Sequence, residues 1–301
     1  MIGYQEFGAG AENIKTSTGL SPEVINVEGG KVYSYSAEKL MSKGENNGAV
    51  NYASIEIPGG GEIDMLAILS PEHIPMDAIA VFVSDNGREI RWAKSDGVTN
   101  VGRGRNRSGE LADHLVREVA NKKLLGNVDS IIRQVENRVN VDEVQAAATF
   151  EYGMIRLENG GWKVDVYRVG STRKIKEGVT KDGDCGVLET YYSNEAINGY
   201  HDFWDPSLSR KFVGSNGGGG EFLFRRFSND EPLTITSATD GIKSIIEGRY
   251  ANSGMVVEKW LKTAAVGKKI MDSIPWMKER GFLSRKDDVS LVSIHLPRTV
   301  K

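Results

Sequence analysis

Turn residues fall at hairpin spacing along much of this chain, and that punctuation limits its fold more than any other feature. Pro58-Gly-Gly-Gly61 separates the strand-like runs Ala49–Ile57 and Ile63–Leu69. Asp85-Asn-Gly87 separates Ala78–Ser84 from Glu89–Ala93, and Glu158-Asn-Gly-Gly161 separates Ala146–Arg156 from Trp162–Arg168. Loops this short return a strand antiparallel to the one before it, since a parallel neighbour needs a crossover of a dozen residues or more. Val32–Ser36, Glu221–Phe227, Leu233–Ser237 and Val289–Leu296 carry further strand patterns.

Helical periodicity is confined to a few places. Leu111, Leu115, Val116 and Val119 form one apolar stripe, with Ser108 a candidate N-cap. Ile131, Ile132, Val135 and Val139 form a second within Val128–Val139. Residues 253–280 read as mostly helical, interrupted near Gly267 and broken at Pro275, and residues 175–220 read as irregular. Strands, two helices, strands, a helical insert and a last strand predict an α+β chain of antiparallel sheets with segregated helices. No Pro/Ser-rich linker divides it, so one compact unit over 61–301 is expected, with residues 1–60 an N-terminal extension or added edge strands.

Composition excludes several classes. Hydrophobic residues are 39% and charged residues 26%, as in an ordinary globular protein. No run approaches a membrane span, and the first residues lack the basic start and apolar stretch of a secretory signal, so a cytoplasmic protein with no membrane partner is expected. A net charge of −3 argues against a nucleic-acid partner. The single Cys185 allows neither an internal disulfide nor a multi-cysteine zinc site, and the four histidines show no ligand spacing.

The acids at the strand ends carry the chemistry. Asp77 precedes Ala78–Ser84, Asp96-Gly97 follows Glu89–Ser95, Asp240-Gly241 follows Leu233–Thr239, and Asp287 precedes Val289–Leu296. Each Asp-Gly pair has a plainer reading as a turn. If the strands of two sheets bring these ends to one rim, the carboxylates repel unless a cation sits among them, and hard divalent cations take oxygen ligands. The loop Gly102-Arg-Gly-Arg-Asn-Arg107 places Arg103, Arg105 and Arg107 just after Asp96, where guanidinium groups could bind a phosphate; a solvated loop is the plainer alternative.

The order of these motifs resembles the metal-dependent protein phosphatases of the 2C type. Met76-Asp77-Ala78, then Lys94-Ser-Asp96-Gly97-Val98, then Ser108-Gly-Glu110-Leu-Ala112 into a helix match the family's first acid, its strand ending in Asp-Gly and its Gly-Glu helix start. Leu233–Gly241 resembles its late strand-Asp-Gly motif, and Lys286-Asp287-Asp288-Val289-Ser290 its C-terminal acidic motif. The resemblance covers roughly residues 63–296 and implies an α-β-β-α sandwich, two antiparallel sheets flanked by helices.

The family's activity would be hydrolysis of phosphoserine and phosphothreonine in proteins, in signal transduction, by a hydroxide bridging two magnesium or manganese ions. Asp77 and Asp96 would be catalytic and, with the Gly97 carbonyl, Asp240 and Asp287, would hold the metals. Two departures stand out. Glu72 occupies the place of the family's phosphate-binding arginine, and Ser171, in Gly170-Ser-Thr-Arg173, replaces an acid that holds an additional metal. They motivate the alternative of a weak or inactive regulatory module that binds metal or a phosphorylated partner.

Overall fold

The hairpins form where the turn residues lie. The computed structural model describes residues 13–45, 48–70, 74–97, 107–121, 127–141, 146–169, 189–192, 201–204, 213–214, 223–229, 232–239, 241, 266–279 and 288–297. In chain order these give β1 (Ile14–Thr18), β2 (Glu23–Val27), β3 (Gly30–Ser36), α1 (Ala37–Ser42), β4 (Val50–Glu56), β5 (Glu62–Ile68), β6 (Ala78–Ser84) and β7 (Glu89–Ser95). Then come α2 (Ser108–Arg117), a 3-10 turn (Glu118–Ala120), α3 (Val128–Val139), β8 (Ala147–Ala148), β9 (Phe150–Glu158) and β10 (Gly161–Val169). The last elements are β11 (Glu189–Tyr192), β12 (His201–Trp204), β13 (Val213–Gly214), β14 (Leu223–Asn229), β15 (Leu233–Ala238), α4 (Val266–Glu279) and β16 (Val289–Leu296).

Among the described residues, one sheet runs β1-β4-β5-β16-β15-β11 and a second runs β12-β14-β10-β9-β7-β6-β3-β2, with β8 and β13 a small separate pair. All ladders within the two large sheets are antiparallel. Asn159 and Gly160, both at positive φ, turn β9 into β10 between the partners Glu158 and Gly161.

Strand periodicity assigns the layers. In β5, Ile63, Met65 and Ala67 face the second sheet and join a core with Ile235, Ile294, Val81, Trp92 and Val164. In β6, Ile79, Val81 and Val83 enter that core, while Ala78, Ala80 and Phe82 meet α2 and α3 on the outer face. Covered on both sides, β6 has no reason to alternate in polarity, hence its near-continuous apolar run. The stripes Leu111/Leu115/Val116/Val119 and Ile131/Ile132/Val135/Val139 are buried as the periodicity required. Helix α4 packs on the other outer face, against β5 and β16. The result is the expected α-β-β-α sandwich.

Three local expectations give way. Arg107, not Ser108, occupies the N-cap of α2, and Ser108 Oγ instead accepts the Ala147 amide at 3.1 Å. Helix α4 continues through Pro275, because Ile270, Met271 and Ile274 are docked while Pro275 faces solvent. The stretch 175–220 contains β11, β12 and β13, short strands whose pairing comes from distant partners. β1 and β2 lie at the outer edges of the two sheets, each paired with one strand among the described residues. Residues 14–56 therefore contribute strands to both sheets.

Asp64 seats α4. Its carboxylate, 3% exposed, accepts Tyr52 Oη at 2.8 Å and the amides of Gly267 and Lys268 at the helix start. Burial pushes its pKa up to about 6, the hydrogen bonds from Tyr52 and the two amides opposing and the charge of Glu62 adding.

Two outcomes are expected. A Cβ at Gly153 would lie 2.0 Å from Cζ2 of the fully buried Trp92, so Gly153→Ala should destabilise the protein by about 1–3 kcal/mol in urea unfolding, and by less in a Trp92→Phe background. The folded pKa of Asp64 lies above its ordinary 3.8, so its neutral form favours folding. That contribution is complete below the ordinary value and is lost as pH rises through about 6. Stability should fall over this window by on the order of 3 kcal/mol from this group, and Asp64→Asn should flatten that part of the profile.

Candidate active site

Two adjacent strands set the first pair of acids. Ala78 of β6 is partnered with Ser95 of β7, so Asp77 and Asp96, one residue beyond, leave the hairpin at the same end. They are 5% and 8% exposed. The backbone around Asp96 is fixed by the end of β8 and the residue before β9: its amide donates to Thr149 Oγ1 at 3.1 Å, its carbonyl accepts the Thr149 amide at 2.9 Å, and Gly97 bridges to Ala148.

Glycine follows Asp96 for want of space, not for a turn. A Cβ at Gly97 would lie 2.6 Å from Met76 Cβ and 2.9 Å from the Met76 carbonyl oxygen. The Asp96-Gly97 and Met76-Asp77 segments therefore lie against each other.

The first sheet brings its own strand ends to the same place. Asp288, just before β16, accepts the Asp77 amide at 3.0 Å and the Met76 amide on Oδ2, and the Ser70 amide at 3.3 Å on Oδ1. Thr239, just after β15, donates its amide to the Ser290 carbonyl and accepts the Ser290 amide on Oγ1, both at 2.9 Å. A Cβ at Gly241 would lie 1.9 Å from the Asp288 carbonyl oxygen. The starts of β6 and β16 and the ends of β7 and β15 thus meet at one rim of the sandwich.

Of the residues singled out from the sequence, Asp77, Asp96 and Gly97 are brought together. Asp240, Asp287, Arg103 and Arg105 lie outside the described residues, as do Glu72 and Ser171. Arg107 is described, and its guanidinium forms a two-point pair with Glu110 while reaching the Val139 carbonyl at 3.4 Å. Among the described residues no three His, Cys, Asp or Glu side chains form a group that could hold a metal ion. The described donors that suit one are the Asp77 and Asp96 carboxylates and the Gly97 carbonyl, all hard oxygen ligands of the kind magnesium and manganese take.

Three residues of this region were not singled out from the sequence. Asp288 stood beside the expected Asp287. Lys94 and Glu151 are opposed on β7 and β9 with both side chains fully buried. Lys94 shares a face of β7 with Ile90 and Trp92, which was a signal for the pair, but its partner lies on a strand far along the chain.

No protein-family model matches the chain, and no curated protein matches its sequence. Solved structures are similar to it. RsbX in complex with magnesium is 15% identical, over 91% of this chain and 99% of that one, with a TM-score of 0.44. The serine/threonine phosphatase Stp1 from Staphylococcus aureus is 12% identical, over 80% and 97%, with a TM-score of 0.46. The serine/threonine phosphatase PstP/Ppp of Mycobacterium tuberculosis is 12% identical, over 82% and 99%, with a TM-score of 0.43. The second and third are described as serine/threonine phosphatases; the chain is similar to all three in architecture and at low identity, and no residue role passes from them to it. No helix among the described residues is long and apolar enough to cross a membrane.

The Asp288 contacts give a direct test. Asp288→Ala would leave three buried amides without this acceptor, and a buried donor left unsatisfied costs about 1–3 kcal/mol. Urea unfolding should show a loss of several kcal/mol, and Asp288→Asn, which keeps one acceptor oxygen, should lose less.

Proposed function

We propose that this chain is a metal-dependent protein phosphatase that hydrolyses phosphoserine or phosphothreonine monoesters with two magnesium or manganese ions. The observation that carries the reading is the meeting of four strand ends, two of them bearing the buried acids Asp77 and Asp96. The other two ends run into Asp240 and out of Asp287. In this reading Asp77, Asp96, the Gly97 carbonyl, Asp240 and Asp287 hold the ions. When bound, the ions supply a lowered water pKa and neutralise the phosphoryl oxygens.

The chain's own residues do the rest. Thr149 holds the backbone of Asp96 and Asp288 holds that of Asp77, so both carboxylates are presented from fixed strand ends. Arg103, Arg105 and Arg107 would orient the phosphate in place of the arginine that Glu72 replaces, Arg107 giving up its pair with Glu110 to do so. A phosphorylated protein as partner, signalling and a cytoplasmic site of action go with this reading. A regulatory binding module is the second reading, favoured by Glu72 and Ser171.

The experiment is manganese-dependent hydrolysis of a generic phosphomonoester with a chelator control. Asp96→Asn should reduce turnover by at least about a hundredfold while leaving the urea midpoint unchanged, since it removes a rim charge and no packed apolar group. Near-normal turnover in that variant would overturn the metal site. Manganese binding by the wild type without turnover would favour the binding module.

A further inference from the structure

The inner faces of the two sheets are mostly apolar, and one pair of fully buried charged side chains interrupts them. Lys94 and Glu151 are directly opposed on β7 and β9, and both side chains are 0% exposed. Lysine and glutamate are almost never fully buried unless paired, and removing an ammonium from water costs several kcal/mol that its partners have to offset. Here the partners come from both sheets. Lys94 Nζ lies 3.7 Å from Glu151 Oε1 and donates to the Ala238 carbonyl, on β15 of the other sheet, at 2.7 Å. Glu151 Oε1 accepts Trp92 Nε1 at 3.0 Å from its own sheet and Ser237 Oγ from β15.

The sequence positions of these contacts matter. Lys94 is two residues before Asp96, and Ala238 is two residues before Asp240. A hydrogen bond at this point joins, across the sheet interface, the two strands that end in Asp-Gly. Apolar side chains fill the interface, and a directional bond to one carbonyl adds a fixed point between one strand and the other.

We propose that Lys94, anchored by Glu151, is a positioning residue that ties the end of β7, which runs into Asp96, to the end of β15, which runs into Asp240, and so sets the separation of the two strand ends. The functional half of this rests on the phosphatase reading above; the structural half does not.

The test uses Lys94→Met, which keeps an unbranched apolar side chain, and the double variant Lys94→Met/Glu151→Gln, which also removes the carboxylate charge that the single variant leaves buried. Val164→Ala, in the same core but outside the hydrogen bonds that join Lys94, Glu151 and β15, serves as a control for lost stability. All are compared at a temperature where circular dichroism shows them folded. Loss of a residue that orients metal ligands typically weakens metal binding about 10–100-fold. Calorimetry should therefore show manganese binding weakened at least about tenfold in both Lys94 variants and unchanged in Val164→Ala. Amide hydrogen exchange should rise at Asp96–Gly97 and Thr239–Gly241 together in the Lys94 variants, and not in the control.

Wild-type manganese affinity in the Lys94 variants, or an equal loss in Val164→Ala, overturns the functional half. Unchanged exchange at either strand end overturns the tie itself. If the wild type binds no manganese, the phosphatase reading fails, and the exchange measurement still decides whether the tie exists.

Discussion

Two sheet faces, each too apolar to meet water, have to be buried against one another, and the rest of the molecule follows from the register in which they do so. Ile63, Met65, Ile294 and Ile235 from one sheet meet Ile79, Val81, Trp92 and Val164 from the other. Because side chains alternate along a strand, a slip of one residue would turn an inner face outward, so the apolar pattern specifies each ladder strongly. Once β6 and β16 are fixed in the sandwich, their starts are fixed too, and so are the ends of β7 and β15. The rim where Asp77 and Asp96 lie is a by-product of that packing.

Glycine is required where these strand ends come close. Gly97 passes against Met76 and Gly241 against Asp288, both nearer than any side chain would permit. Asp288 then spends its carboxylate on three backbone amides. It is a charged group that organises the strand entering at Asp77, and this is the feature that joins the acids of one sheet to the frame of the other. Deeper in, the Lys94–Glu151 pair adds directional contacts to the packed apolar interface.

Much of the fold was legible because hairpin strands are neighbours in sequence. The β4–β5, β6–β7 and β9–β10 pairings follow from turn residues lying between apolar runs, and the burial of α2 and α3 follows from their stripes. The edge strand β1 was not picked out, since its run Ile14–Thr18 is mostly polar. Helix α4 was misread at Pro275 because a docked apolar face outweighed the local break. Asp77, Asp96 and Gly97 could be picked out by their positions at strand ends, whereas Asp288 and Glu151 act through partners more than fifty residues away in the chain.

The sequence by itself determined the principal strands, which of them form hairpins, and which acids stand at strand ends; these are local matters of periodicity, turn chemistry and spacing. Only the tertiary structure decided that the four ends meet at one rim, that the glycine after Asp96 answers to crowding and not to a turn, and that a lysine in an apolar strand is answered by a glutamate on another. Those facts depend on contacts between residues distant in sequence, and no local pattern encodes which distant partner a side chain will find.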